Sequence, residues 1–161
     1  MRGMHENAQL ITRFYDAFSR LDGDAMAACY HPDVCFSDPV FPDLKGARAG
    51  AMWKMLTSRA ADLRVEASGI DADDTTGRAH WEAHYTFSAS GNQVHNVIDA
   101  TFVFRDGLIV EHTDVFDFYA WAKQALGFRG ALLGWTGFLH NKVREGAGAQ
   151  LNKYCAKHSI E

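Results

Sequence analysis

Long apolar runs, basic charge, cysteine and proline are all in short supply in this chain, and each shortage removes a class of protein. No stretch approaches the ~18 consecutive apolar residues of a bilayer-spanning helix. Sixteen lysines and arginines against twenty acidic residues leave a net charge of -4, which argues against binding a phosphate backbone, a task that needs a basic face. The three cysteines (Cys29, Cys35, Cys155) are odd in number and lack metal-ligand or redox spacing. They are expected to be reduced, mostly buried thiols of a cytoplasmic protein. The segment from Met1 to Gln9 is polar and carries no apolar signal region, so export is not expected. Prolines number three, at 32, 39 and 42, so irregular backbone is concentrated there and the rest is free to form regular elements. What remains is ordinary globular material: 47% hydrophobic and 22% charged, over a length that suits one domain with a real core.

The order of periodicities predicts helices, then strands, then helices. From Glu6 to Leu21 apolar residues recur at helical spacing, with Leu10, Phe14, Ala17, Phe18 and Leu21 in one stripe and Ile11 and Tyr15 beside it. Gly23 and Asp24 break this helix and start a short one, Ala25 to Tyr30. Val34 to Ser37 is a brief strand. Gly46 precedes a third helix reaching about Ala60. The period then changes to two. Strands are expected at Arg64 to Ile70, Arg78 to Ser88, Val94 to Phe104 and Leu108 to Phe118. The turns at Ser90-Gly91-Asn92 and Asp106-Gly107 make the last three antiparallel neighbours. Tyr119 to Leu126 is helical, closed by Gly127, and the tail from Leu132 to about His158 is helical again. In that tail Leu132, Trp135, Leu139, Val143, Leu151 and Tyr154 are candidate buried positions. Three helices followed by a meander make an α+β domain with helices on one sheet face.

Five strings in this order resemble the nuclear transport factor 2-like superfamily, and within it the SnoaL-like and ketosteroid isomerase-like branch. They are FSRLDGD at Phe18 to Asp24, HPDVCFSDP at His31 to Pro39, LKG at Leu44 to Gly46, FVFRDGLIVEHTDVFD at Phe102 to Asp117 and QALG at Gln124 to Gly127. The resemblance implies a cone (a cystatin-like roll): a curved antiparallel sheet wrapped around the N-terminal helices, a pocket inside and a homodimer through the outer sheet face. On that scheme residues 6–127 are the SnoaL-like domain and residues 128–161 a C-terminal helical extension of it. No cofactor is implied and no single reaction, since members include isomerases, cyclases, dehydratases, epoxide hydrolases and binding proteins.

Three residues are candidates for catalysis. Asp38-Pro39-Val40 matches the string that supplies the general base in ketosteroid isomerases; the alternative for Asp38 is a turn aspartate bonding to its own backbone. The rest of that analogy fails. The helical position that best fits the isomerase tyrosine is Phe14, Tyr15 lies ~100° round the helix, and Asp99 is out of register by one and on the opposite face from Ala100, Phe102 and Phe104. His112 and Asp114 are the stronger pair. They share a face with Val110 and Phe116, and Glu-His-Thr-Asp resembles the SnoaL-like cyclases, in which the matching aspartate is the acid/base. Residues two apart on a strand do not easily bond each other but project into the same space, where such a histidine can relay a proton or orient a water; the alternative is a strand-end ion pair near the sheet rim. Asp117 is expected to cap the next helix.

His80, Glu82 and His84 alternate on one strand face. No metal site is assigned to them: the string is not the helical zinc motif, and it suits the polar face of an antiparallel strand, with a shared metal as the alternative. His95 and His140 stand alone. Phe14, Phe18, Trp53, Trp81, Tyr85, Phe102 and Phe116 occupy positions that this fold turns inward, either lining a pocket for a small apolar molecule or packing as plain core. Two functions therefore stand: a cofactor-free isomerase, cyclase or hydrolase working by acid/base chemistry, and a non-catalytic ligand-binding or dimerisation module.

Overall fold

The computed structural model describes residues 4–160; Met1–Gly3, part of the polar N-terminal segment, and Glu161 lie outside them. Helix α1 (Glu6–Ser19) buries the expected stripe of Leu10, Phe14, Ala17 and Phe18, and also Ile11 and Tyr15. Asp22 caps the short α2 (Gly23–Ala28) by accepting from the Ala25 amide at 3.0 Å. Only glycine fits at its first position, because a Cβ on Gly23 would lie 2.6 Å from the Cα of Lys54 in α3 (Ala47–Arg59).

The six strands are β1 (Tyr30–Ser37), β2 (Leu44–Lys45), β3 (Arg64–Ala72), β4 (Thr76–Phe87), β5 (Asn92–Arg105) and β6 (Leu108–Val115). They form one curved sheet in the order β2-β1-β6-β5-β4-β3. All neighbours are antiparallel except β1 and β6, which run parallel. The parallel pair follows from connectivity, since the meander returns its last strand beside the first one. Tyr30 therefore opens a strand, paired with Ile109, instead of ending a helix. Pro32 also lies inside β1, within the register shift between Tyr30 and Cys35, where its missing N–H costs no ladder bond.

Alternation along β4, β5 and β6 sorts their side chains into a buried inner set and a polar outer set. The one departure is a bulge between β5 and β6, where Ile109 pairs with Phe104 but Glu111 with Val103, so that both Ile109 and Val110 turn inward. Asp106 and Gly107, with φ of 55° and 76°, form the tight turn before it. α1 and α3 cover the inner face and complete the main core. Asp117 caps α4 (Phe118–Leu126), which packs on β5 and makes a second, smaller core with Val94, Phe118, Trp121, Ala122 and Ala125. Val40, Tyr85 and Phe116 touch both cores and mark the seam between them.

The C-terminal residues form α5 (Phe128–Leu133) and α6 (Gly137–Lys157). α6 lies against α3 through buried Leu151 and Cys155, with Arg48 donating to Asn152 at 2.6 Å and Arg59 to Gln150 at 3.1 Å. Leu139, Val143 and Tyr154 are half-buried, whereas Leu132 and Trp135 are exposed, contrary to expectation. The reason is the way α5 meets α4. It does so through Gly130, where a Cβ would strike the Ala122 carbonyl, and that close approach leaves the leucines and Trp135 pointing away. No helix among the described residues is long and apolar enough to cross a membrane. All three cysteines are free, with Cys29 and Cys155 buried and Cys35 half-buried.

Candidate active site

His112 and Asp114 lie on the inner face of β6, opposite Phe102 and Ala100 of β5. His112 is fully buried and Asp114 is 3% exposed, so the reading of this pair as a rim ion pair is overturned. They also bond each other: Nε2 of His112 is 2.8 Å from Oδ1 of Asp114. Two positions apart on a strand is a span of about 6–7 Å, and the length of the imidazole bridges it when the ring lies along the strand.

The pair continues into a chain that sequence reasoning missed. The indole N–H of Trp53 donates to the hydroxyl oxygen of Tyr30 at 2.8 Å, and that hydroxyl is 2.7 Å from Nδ1 of His112. Since Tyr30 already accepts from Trp53, its proton is directed to Nδ1, and His112 carries its own proton on Nε2 toward Asp114. This tautomer is assigned from the partners and satisfies every group in the relay. Trp81 adds a longer contact, its N–H 3.4 Å from the same Oδ1. All donors therefore converge on one oxygen of Asp114, while Oδ2 is buried without a partner. Tyr15 was expected to miss this region, but its ring packs against Trp81 and Phe102, with centroids 6.0 and 6.5 Å away. Its hydroxyl is likewise buried without a partner. Burial, and secondarily the charge of Asp114, push the Tyr15 phenol well above its ordinary pKa.

Of the aromatic positions expected to turn inward, Phe14, Phe18, Trp53, Trp81 and Phe102 are buried. The rings of Phe14, Phe36 and Phe102 stand 5.5, 4.9 and 4.4 Å from that of His112. Tyr85 and Phe116 are half-buried at the seam, where the Tyr85 hydroxyl accepts from Trp121 at 2.8 Å. Hollows beside His84, His95 and Asp62 and beside Asp22 and Lys54 lie elsewhere on the surface and are not lined by His112 or Asp114.

Asp38 takes the turn role considered for it. Its Oδ1 accepts from the amides of Val40 at 2.7 Å and Phe41 at 2.6 Å, a turn built on its own backbone. It is also deeply placed: burial, against the pull of those two amides, pushes its pKa up to about 7, and the charge of Asp114 adds to the rise. The turn is held from outside by α6. His140, which stacks on Phe118 at 4.1 Å, donates to the Pro39 carbonyl at 2.6 Å, and Arg144 donates to it at 2.8 Å. His140 is thus a structural partner and no isolated surface residue.

On the outer face, Glu82 bridges two imidazoles, with Oε2 2.8 Å from Nε2 of His80 and Oε1 2.6 Å from Nε2 of His95. Nδ1 of His80 reaches Asp99 at 2.9 Å, which places Asp99 outside the cone as the register count required. Hydrogen bonds to Asp99 and Glu82 raise the pKa of His80, and those from His80 and His95 lower that of Glu82. His95 was expected to stand alone; it pairs directly with His84 across the β4–β5 ladder, their rings stacked at 4.1 Å.

The helices, the mixed curved sheet and the long last helix make this a nuclear transport factor 2-like fold. The SnoaL-like domain family matches residues 11–112, and the chain belongs to that family. Solved structures agree on the fold. An LEH-like epoxide hydrolase from M. tuberculosis is similar at 22% identity and a TM-score of 0.63, over 79% of this chain and 92% of that one. A candidate polyketide cyclase from Xanthomonas campestris pv. campestris is 26% identical, with a TM-score of 0.63 over 74% of this chain and 96% of that one. TerC, co-crystallised with polyporic acid, is 17% identical, with a TM-score of 0.65 over 76% of this chain and all (100%) of that one. No curated protein sequence matches the chain.

Proposed function

We propose that this chain is a cofactor-free acid/base enzyme that acts on a small hydrophobic carbonyl compound or epoxide, with Asp114 as the group that moves the proton. The observation that carries this reading is Oδ2 of Asp114, a buried carboxylate oxygen with no donor. Leaving such an acceptor unmade costs about 1–3 kcal/mol, more if charged, and a substrate or water hydroxyl seated there removes that cost. Asp114 takes a proton through Oδ2, either from carbon next to a carbonyl or from a water attacking an epoxide. His112 holds Oδ1 and, backed by Tyr30 and Trp53, stabilises the carboxylate while it is charged. Asp38, with a pKa of about 7, is half-protonated at neutral pH and serves as the acid for the developing alkoxide or enolate. The seam of Val40, Tyr85 and Phe116, whose half-buried side chains pack against both cores, is the way in that this reading requires. A homodimer through the outer sheet face, a cytoplasmic location and the division at residue 127 belong to the same proposal.

One observation favours the second reading, a binding or dimerisation module: His112 is enclosed by the chain's own rings. Two reactions discriminate. Deuterium exchange next to the carbonyl of 2-tetralone, followed by proton NMR, and hydrolysis of styrene oxide report the two proton transfers. Wild-type protein accelerates at least one of them, and Asp114→Asn lowers that rate by about 10²–10⁴-fold with an unchanged circular dichroism spectrum. An unchanged rate in the variant removes Asp114 from the mechanism, and wild-type protein silent in both reactions favours the binding module.

A further inference from the structure

The outer face of β4 and β5 carries a cluster that the inner site does not use. Glu82, His84 and His95 each offer one ligand atom, and these atoms lie within 4.8 Å of one another. We propose that they form a binding site for a divalent transition metal ion of the zinc, nickel or copper type, separate from the His112–Asp114 pair.

Strand geometry explains the convergence. His84 and His95 are directly paired in the antiparallel ladder, and Glu82 shares their face two residues along β4. Two imidazoles and a carboxylate are the donor set of borderline metals, and three protein ligands leave a fourth position for water. In a tetrahedral site ligand atoms stand about 3.4 Å apart, a closure that torsions of these partly exposed side chains supply without moving the backbone.

The surroundings are those of a metal site as well. Oε2 of Glu82 is held by His80, which is held in turn by Asp99, so Oε1 is the oxygen left facing His95. Such outer partners orient the ligating groups. The His95 amide donates to Gln124 at 2.7 Å, which ties that strand to α4. A hollow beside the two histidines, lined also by Asp62, Arg64 and Gln93, leaves room for water or for an anion paired with Arg64 on the open side of the ion. The stacked rings of His84 and His95 are the arrangement that a shared cation would draw together.

Titration calorimetry with Zn²⁺ on the full chain, free of any histidine tag, tests the site. One ion per chain is expected, or one per two chains if the outer face is shared in a dimer. His84→Ala and His95→Ala should each weaken binding at least tenfold, His80→Ala less, and His31→Ala not at all. His80, His84 and His95 are on the outer strand face and His31 lies in β1 with its side chain 12% exposed; circular dichroism checks that each variant folds. The proposal is overturned if wild-type protein binds no Zn²⁺, or if binding survives both the His84 and His95 substitutions.

Discussion

Two imidazole–carboxylate assemblies built from the same residue types lie on opposite faces of one sheet, the inner on β6 and the outer on β4 and β5. Inside, His112 and Asp114 are enclosed by aromatic rings and fed by a single chain of donors. Outside, Glu82 stands between His80 and His95 with water on one side. Bond lengths are alike in the two places; what differs is the medium. In water a broken ion pair is replaced by solvent at little cost, whereas in the core the orphaned partner has nowhere to turn. The inner group is therefore suited to holding a proton in one place, and the outer one to exchanging partners.

Removing one member from each side is the most direct way to break the comparison. His112→Ala should destabilise the fold by about 3–5 kcal/mol, read from urea unfolding, since Asp114 and Tyr30 both lose their partner. A loss comparable to that of an outer-face variant would mean that water reaches the inner pair. The acidity of Asp38 gives the next largest effect. Its pKa is raised from 3.8 to about 7, so the folded state binds the proton more tightly than the unfolded chain. The resulting stability is complete below pH ~4 and is lost as pH rises through ~7. Asp38→Asn, which keeps the acceptor for Val40 and Phe41, should abolish that slope and gain on the order of 4 kcal/mol at pH 8. Parallel melting curves for the two proteins from pH 4.5 to 8 would contradict it.

Tyr30→Phe sharpens the comparison further, because it takes one oxygen from the inner chain and leaves Nδ1 of His112 and the Trp53 N–H unpaired. A cost of roughly 2 kcal/mol is expected, with a Trp53 fluorescence shift that reports the altered indole environment. The smallest effect belongs outside. His95→Ala should leave the urea midpoint of the monomer at neutral pH unmoved. The contact of Glu82 with His80 is strongest between the lowered pKa of Glu82 and the raised one of His80, fading as pH falls through the first or rises through the second.

How much of this was legible in sequence depended on whether a period carried it. Alternation placed His112, Asp114, Ala100 and Phe102 on one face and Asp99 on the other, because a two-residue period survives any packing. The bulge at Val110 left no trace, since Ile, Val and Leu occupy inner and outer positions alike. The relay was invisible for another reason: Tyr30, Trp53 and Trp81 come from three separate elements, and their polar tips meet only after folding. Aromatic residues with polar tips at inward positions near a buried histidine were the available signal. His95 could have been found, since counting across Ser90-Gly91-Asn92 sets it opposite His84. The packing of α5 on α4 through Gly130 depends on an interhelix distance that no local pattern encodes.

The two donors that α6 gives to the Pro39 carbonyl come from residues 101 and 105 positions further along the chain. Synthesis runs from the N-terminus, so the turn bearing Asp38 is made early and latched late. On the ribosome the sheet and its inner pair can assemble before His140 and Arg144 have emerged, while Asp38 waits on a turn still open to water. A nascent chain stopped short of His140 would then carry Asp114 already in place and the Asp38 turn without either latch.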